Sequence, residues 1–160
     1  MNKKLNVYFA TMMGTAETLA TSLVEAATDQ GLNVELCDFS EASVEALKEV
    51  EYAVFIASTW GDGEPPEDSE DLWEELKTAT EDFSNMKYSV FGLGDTSYSE
   101  FNAFARLLDQ RFFELDATRI LPRVEADVDY EHDFDEWKRK LLAFVKTVFN
   151  PREAANGVMS

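Results

Sequence analysis

Three short segments hold the residue types through which this sequence could bind a small ligand. The first, Thr11–Ala16, combines Gly14 with two hydroxyls, Thr11 and Thr15, and leads directly into a stretch with helical spacing. Backbone N–H groups at the start of a helix converge at the positive end of its dipole, where they favour a phosphate. The segment has no Lys, so it is not a nucleoside triphosphate P-loop. The same residues would also suit a turn that holds no ligand.

Aromatic residues stand in the other two segments, Ser58–Pro66 and Gly92–Asn102. Trp60 lies between small residues at the end of an apolar run, where a large exposed ring suggests a flat ligand to stack against. Trp60 could instead cap the core. Tyr98 can face Trp60 across a slot. The third segment lacks the last glycine and the downstream acidic residue of a dinucleotide-binding fingerprint, so its match to that fingerprint is weak. Two aromatic side chains beside a phosphate-binding turn indicate a planar ring with one phosphate tail.

The chain alternates short apolar runs with stretches in which apolar residues recur at helical spacing. The predicted strands are Leu5–Ala10, Val34–Phe39, Tyr52–Ser58, Tyr88–Gly92 and Arg119–Val124. The predicted helices cover 16–27, 41–50, 69–79, 101–115 and 134–148. This alternation predicts an α/β fold, a doubly wound, five-stranded parallel sheet in the order 2-1-3-4-5 with helices on both faces. Ligands of such sheets lie at the carboxyl ends of the strands, here between strands one and three, so the three segments are suitably placed.

Length and charge bound the possible functions. The 160 residues predict a single domain over 1–149 and a flexible tail over 150–160. Apolar residues make up 45% of the chain, which excludes intrinsic disorder. Fourteen basic and thirty-two acidic residues give a net charge of −18. Binding of nucleic acid through a basic face is therefore excluded, and an anionic membrane surface is disfavoured. We expect a monomer whose partners carry basic patches.

Cysteine and histidine are each present once. Cys37 can form no internal disulfide, which fits a reducing compartment. Because no apolar run could span a membrane and the start lacks the features of a signal peptide, we expect a cytoplasmic protein. Cys37 is predicted to be an inert, packed thiol. His132, near the start of the last predicted helix, cannot form a multi-histidine metal site, and we interpret Glu125, Asp127 and Asp129 as surface acids.

With these segments in order after the appropriate strands, the chain resembles the flavodoxin family. It is most similar to the FMN-binding, flavodoxin-like domain of diflavin reductases such as the sulfite reductase flavoprotein subunit. The motifs that carry the resemblance are Thr11–Glu17, Ser58–Gly63, Val90–Asp95 with Tyr98, Phe101 and Asn102, and Arg123–Tyr130. The resemblance as a whole covers the chain from about Leu5 to Val148.

The resemblance implies one FMN, bound without a covalent link. The turn 11–16 would hold its phosphate, and Trp60 and Tyr98 would lie on the inner and outer faces of its ring. Backbone around Gly61 and over 93–95 would contact the ring edge. The cofactor-binding residues implied in this way are Thr11, Met12, Met13, Gly14, Thr15, Ala16, Ser58, Thr59, Trp60, Gly61, Asp62, Gly63, Leu93, Gly94, Asp95, Tyr98, Phe101 and Asn102. No catalytic side chain and no metal ligand are implied.

The sequence departs from the family pattern in three respects. Met13 occupies a position where the family usually has a hydroxyl. A lost hydrogen bond to a charged group is worth about 1.5–3 kcal/mol, or roughly ten- to hundredfold in affinity. We therefore expect weakened FMN binding that Met13→Thr would restore. Asp62 stands where Glu is common, which is a small change. No NADPH or FAD domain follows, so we expect a separate reductase, containing flavin or an iron–sulfur centre, to deliver electrons for an unidentified acceptor.

Charge around the segments favours one-electron chemistry. The segments contain no Lys or Arg, and carboxylates such as Asp62 and Asp95 would disfavour an anionic, fully reduced flavin. A neutral semiquinone escapes that penalty, and a carbonyl at Gly61 could accept its new ring N–H. We therefore predict an electron carrier with a low potential for full reduction. The run Glu49–Leu76 holds ten acidic and no basic residues. It suits a docking face for a basic partner as well as it suits a merely solvated face.

Two other functions stay open. The chain could itself take hydride from NAD(P)H onto FMN, as an enzyme. It could also be a binding or regulatory protein that keeps the scaffold without flavin, with Met12 and Met13 as the reason. A phospho-receiver domain shares the strand order, but Thr11 and Ser58 stand where it needs acidic residues, so we exclude it.

Overall fold

The computed structural model describes residues 3–10, 14–58, 70–94, 103–127 and 129–149. Its elements, in chain order, are β1 (Leu5–Ala10), α1 (Thr15–Asp29), β2 (Val34–Asp38), a 3₁₀ turn (Phe39–Glu41), α2 (Val44–Leu47), β3 (Tyr52–Ser58), α3 (Glu70–Lys77), β4 (Lys87–Leu93), α4 (Ala103–Glu114), β5 (Thr118–Arg119), β6 (Val124–Ala126) and α5 (Glu131–Phe149).

The strands form one parallel sheet in the order β2-β1-β3-β4-β5, and β6 also pairs with β4. The predicted fold class and strand order are therefore confirmed. β1 lies between β2 and β3, so that Leu5 is level with Val34 on one side and with Tyr52 on the other. Nearly every residue of β1, β3 and β4 is buried. Such continuous burial is expected of central strands that are covered on both faces.

Each face of the sheet carries its own apolar core. One core joins the sheet to α1 and α5, with the ring centroids of Phe91 and Trp137 5.3 Å apart. The other joins it to α2, α3 and α4, where Phe55 and Phe112 stack with centroids 4.8 Å apart. Because side chains fill both faces, a ligand of this sheet has to lie at the ends of its strands.

The prediction of one continuous fifth strand over Arg119–Val124 is wrong. The sheet instead contains two short strands, β5 and β6, which pair with opposite ends of β4. Pro122 lies in the interruption between them. Proline has no N–H to donate to a strand ladder, which explains why pairing stops there and resumes at Val124.

The second helix is shorter than the predicted 41–50. The chain makes a 3₁₀ turn and then starts α2 afresh at Ser43, whose Oγ accepts a hydrogen bond from the N–H of Ala46 at 3.1 Å. Serine is a strong N-cap because its side chain satisfies an otherwise unpaired donor of the first turn. This cap places the start of α2 at Val44 rather than at the predicted residue 41, and α2 ends at Leu47 rather than at residue 50.

Candidate functional site

The carboxyl ends of β1, β3 and β4 lie side by side. Ala10 is level with Ala57, which is level with Gly92, and Ser58 is level with Leu93. The chain leaves β1 through α1 towards β2 on one side, while β3 adjoins β1 on the other. This is the position at which strand order reverses and at which doubly wound sheets bind their ligands. The three predicted ligand segments therefore begin next to one another at the carboxyl-terminal end of the sheet.

The start of α1 lies at this carboxyl-terminal end of the sheet. Gly14 is the N-cap of α1 and has a φ of 86°. A residue with a Cβ adopts this left-handed conformation at a cost of about 1–2 kcal/mol. No described residue lies within 4 Å of the place that a Cβ would take, so the backbone angle favours glycine here. The carbonyl of Gly14 accepts from both the N–H and the Oγ1 of Thr18 at 3.0 Å, which holds the turn.

The first turn of α1 offers backbone donors rather than a cation. The side chain of Ala16 is fully buried in the core, Thr15 is half-buried, and Glu17 is exposed. N–H groups of a first helical turn have no partners within the helix, and a glycine N-cap has no side chain to accept from them. This set of donors, at the positive end of a helix, fits the single phosphate tail that was expected of the ligand.

The first residues of the third segment are held by the sheet, at the carboxyl-terminal end of β4. Leu93 is buried in the core beside α1 and α5. The N–H of Gly94 donates to the carbonyl of Ala126, the last residue of β6, at 3.0 Å. This N–H therefore serves the sheet, and contacts of the segment with a ring edge have to come from its other groups. Ala126 was not among the predicted site residues.

The other predicted site residues lie outside the described residues, and their roles stay predictions. They are Thr11, Met12, Met13, Thr59, Trp60, Gly61, Asp62, Gly63, Asp95, Tyr98, Phe101 and Asn102. The structure brings the remaining predicted residues to the carboxyl-terminal end of the sheet. They are Gly14, Thr15, Ala16, Ser58, Leu93 and Gly94.

A buried charge network that sequence reasoning missed joins α4 to β4 and to the chain around β5 and β6. The side chain of Asp109, on α4, is 2% exposed. Its carboxylate accepts from Arg119 Nε at 2.8 Å, Arg123 Nη1 at 2.5 Å and the hydroxyl of Tyr88 at 2.7 Å. Burial and the hydrogen bond to Asp109 raise the pKa of Tyr88 above its ordinary value, so Tyr88 stays protonated as a donor. The sequence held a signal for this network, because Asp109 falls on the buried stripe of its helix.

The remaining chemistry of the described residues is sparse. Burial, followed by the neighbouring carboxylate of Glu35, raises the pKa of the Cys37 thiol to about 11. Among the described residues, no group of three or more His, Cys, Asp or Glu is placed to hold a metal ion. Within the same residues, the helices are too short or too polar for a membrane span. His132 lies in the first turn of α5, as predicted, with its side chain exposed.

Comparison with known proteins decides the family. The family model for flavodoxin matches residues 7–137. This chain belongs to the flavodoxin family. Membership makes it a flavodoxin-like, FMN-binding domain, which supports flavin-mediated electron transfer in general. FMN supplies the electron chemistry when it is bound. The described residues that would hold its phosphate are Gly14, Thr15 and Ala16.

Relatives and solved structures agree with this assignment. The sulfite reductase [NADPH] flavoprotein alpha-component of Vibrio cholerae is 35% identical over 156 residues, which are 97% of this chain and 25% of that protein. The same component of Photobacterium profundum is 36% identical over 152 residues, which are 94% of this chain and 25% of that protein. The chain of this flavodoxin-family domain thus spans about a quarter of the length of these curated relatives.

The fold matches that of flavodoxins along most of their length. A point mutant of flavodoxin from Pseudomonas aeruginosa superimposes with a TM-score of 0.76 at 27% identity, over 89% of this chain and 99% of that one. The flavodoxin of Streptococcus pneumonia TIGR4 gives a TM-score of 0.72 at 27% identity, over 85% of this chain and 93% of that one.

Proposed function

We propose that this domain is a one-electron carrier that accepts electrons from a separate reductase and passes them to an acceptor protein. The observation that carries the proposal is the meeting of the start of α1 with the ends of β1, β3 and β4. The described residues of this site offer backbone groups and the hydroxyls of Thr15 and Ser58, and none of them carries an acid or a base that titrates near neutral pH. Binding and orienting a cofactor, which is what a carrier needs, requires no more than such groups.

The negative charge on the surface of α3 supports docking of a partner with a basic surface. The solvent-facing side of α3 carries exposed carboxylates, and only one basic residue, Lys77, lies on this helix, paired with Glu74 at 2.9 Å. Such a face attracts a basic protein over a distance and raises its association rate, an effect that salt weakens. We therefore propose that donor and acceptor dock through basic surfaces and that the domain works as a monomer.

A separate donor is the part of the proposal that most needs a test. The curated relatives are about four times as long as the segment matched here, and NADPH stands in their names. The solved flavodoxins match over 93% or more of their own length. We propose the carrier role of the latter, with residues 1–149 as one unit. An enzyme that reduces its own FMN with NADPH is the rival.

A reductive titration of the FMN-loaded chain tests the proposal. We expect one FMN per chain and two separate one-electron steps on anaerobic titration with dithionite, with the long-wavelength absorbance of a neutral semiquinone between them. NADPH alone should leave the flavin oxidised. Steady NADPH oxidation by the loaded chain would favour the reductase instead. A chain that stays colourless in excess FMN would favour a regulatory protein without flavin.

A pair of glycines provides a matched test of the phosphate position. Gly14 and Gly31 both have left-handed φ angles, of 86° and 77°, and neither has a described residue within 4 Å of the place of a Cβ, but they lie at opposite ends of α1. Changing either to Ala should cost about 1–2 kcal/mol of stability because of the same backbone strain. Only Gly14→Ala should also weaken FMN binding, by about tenfold. Equal FMN affinity in the two variants would place the phosphate elsewhere.

A further inference from the structure

Arg123 connects the buried network to the candidate flavin site. Its Nη1 donates to Asp109 at 2.5 Å, while its Nε and Nη2 both donate to Glu125 Oε2, at 3.1 and 3.0 Å. Asp109 belongs to α4 and Glu125 to β6. One planar guanidinium therefore joins a helix to a strand of three residues, and its fixed fork of donors is suited to this bridge.

β6 in turn positions the start of the third segment. Glu125 is level with Gly92 of β4, and the next residue, Ala126, accepts the hydrogen bond from the N–H of Gly94 at 3.0 Å. A strand of this length has too few ladder bonds of its own to fix its register firmly. Its side-chain anchor is therefore important for the direction in which Gly94 leaves the sheet.

Arg119 binds the same carboxylate without this connection. It donates to Asp109 at 2.8 Å, and its guanidinium lies 5.1 Å from the ring of Phe113 on the surface. In the sheet it is level with Tyr88, near the amino end of β4 and away from the candidate site. Arg119 and Arg123 thus share a partner but differ in whether they reach β6.

We propose that Arg123 is a positioning residue of the flavin site, which holds β6 against α4 and thereby sets the direction of the backbone at Gly94. The inference rests on the proposed function, because it assigns the Gly94 segment to the edge of a bound FMN. Arg123 itself touches no ligand in this proposal. Its effect passes through Glu125 and Ala126 to Gly94, a path that is made entirely of the contacts described above.

Arg123→Met and Arg119→Met form a matched pair for the test. Each variant removes one guanidinium from Asp109 and leaves the other, and Arg123→Met also removes two hydrogen bonds to Glu125, so we expect the somewhat larger loss of stability in Arg123→Met. In the protein without FMN, we expect hydrogen exchange at the Gly94 amide to be about tenfold faster in Arg123→Met, because its local opening becomes easier. Exchange at this amide should stay at the wild-type rate in Arg119→Met.

FMN provides the second readout. We expect the dissociation constant for FMN to rise roughly 3- to 30-fold in Arg123→Met, the range typical of mutations that couple to a site through intervening contacts. The visible circular dichroism of saturated FMN should also change in Arg123→Met, and neither property should change in Arg119→Met. Arg123→Lys keeps the positive charge but cannot bridge both carboxylates, so we expect its FMN affinity and flavin dichroism to resemble those of Arg123→Met. If Arg123→Met does not fold, Arg123→Lys takes its place in the test.

The outcomes separate this inference from the proposed function. If wild-type protein does not bind FMN, both fail. If wild-type protein binds FMN but the Arg123 and Arg119 variants behave alike, only the inference fails. Faster exchange at Gly94 with unchanged FMN binding and flavin dichroism would also overturn it, because the anchor would then serve the sheet alone. Full rescue by Arg123→Lys would show that charge, and not positioning, is what Arg123 supplies.

Discussion

The two edges of the sheet differ in length and in what holds them. At one edge, β2 pairs with β1 over five successive positions, and an exposed ion pair joins Lys4, just before β1, to Glu35 of β2 at 2.7 Å. At the other edge, β5 and β6 pair with β4 over two and three positions. There the tie is Asp109, buried and bonded to two guanidinium groups.

This contrast shows how backbone and side-chain bonds can substitute for each other. A continuous ladder defines its own register, so the β2 edge needs little from its side chains. A strand that Pro122 interrupts loses part of its ladder, and each piece is too short to define its own place. Buried charges are costly to desolvate, but once paired they tolerate few alternative arrangements. The broken edge is also the one that reaches the candidate flavin site.

The largest effect is expected from removing the buried carboxylate. Asp109→Ala would leave Arg119, Arg123 and the hydroxyl of Tyr88 without their common acceptor. Breaking a buried ion pair by removing one partner typically costs about 3–5 kcal/mol. Unfolding in urea, followed by far-ultraviolet circular dichroism, measures the loss. The control is Asp82→Ala, which removes an exposed carboxylate that accepts a hydrogen bond from the N–H of Ser84 at 2.9 Å. A loss as small as that of this control would mean that the broken edge does not depend on its buried charge.

The β2 edge holds a thiol whose reactivity measures its local environment. The pKa of Cys37 is raised from 9.0 to about 11, first by burial and then by Glu35. A shift of this size lowers the thiolate fraction at pH 8 about a hundredfold, and alkylation should slow by a similar factor relative to unfolded protein. Quenched alkylation with iodoacetamide, read by mass, measures the rate. Glu35→Gln should recover only part of the reactivity, because burial is the larger cause.

The same shift makes a prediction about stability in alkaline solution. The thiol holds its proton more tightly in the folded chain, so its contribution is complete below pH 9 and is lost as the pH rises through about 11. Cys37→Ala should lessen the fall in stability over this range. An identical fall in the variant would assign the effect to other groups, of which Tyr8, whose pKa burial also raises, is level with Cys37 on the neighbouring strand.

The smallest effect is expected from the exposed ion pair. The side chains of Lys4 and Glu35 are 43% and 53% exposed, and Lys4→Met should cost no more than about 0.2–1 kcal/mol. The hydrogen bond from Lys4 lowers the pKa of Glu35 below its ordinary value. Its stabilisation is therefore present above that ordinary value and disappears as acid protonates the carboxylate. Urea unfolding at pH 7 and pH 3 checks this. A difference between wild type and variant that persists at pH 3 or in high salt would contradict it.

Local patterns allowed most of the fold and part of the site to be predicted. Apolar spacing identified the strands of the central sheet and the long helices. The side chains of a strand alternate every two residues and those of a helix return to the same face about every 3.6 residues, so both patterns can be seen within a short stretch of sequence. The turn at Gly14 was identified for the same reason, since glycine and small residues at the start of a helix are neighbours in the sequence. The interruption of the fifth strand was not predicted because Ile120 and Leu121 continue its apolar pattern up to Pro122.

The amino-acid sequence by itself determined the class of fold, the order of the strands, the family and the cofactor that the family binds. These depend on periodicity and on motifs whose residues are adjacent along the chain. Only the tertiary structure decided that β6 supplies Ala126 to Gly94 and that Asp109 gathers Tyr88, Arg119 and Arg123. Those partners are 10 to 32 residues apart. Their meeting depends on how α4 docks on the sheet, and no local pattern encodes that contact.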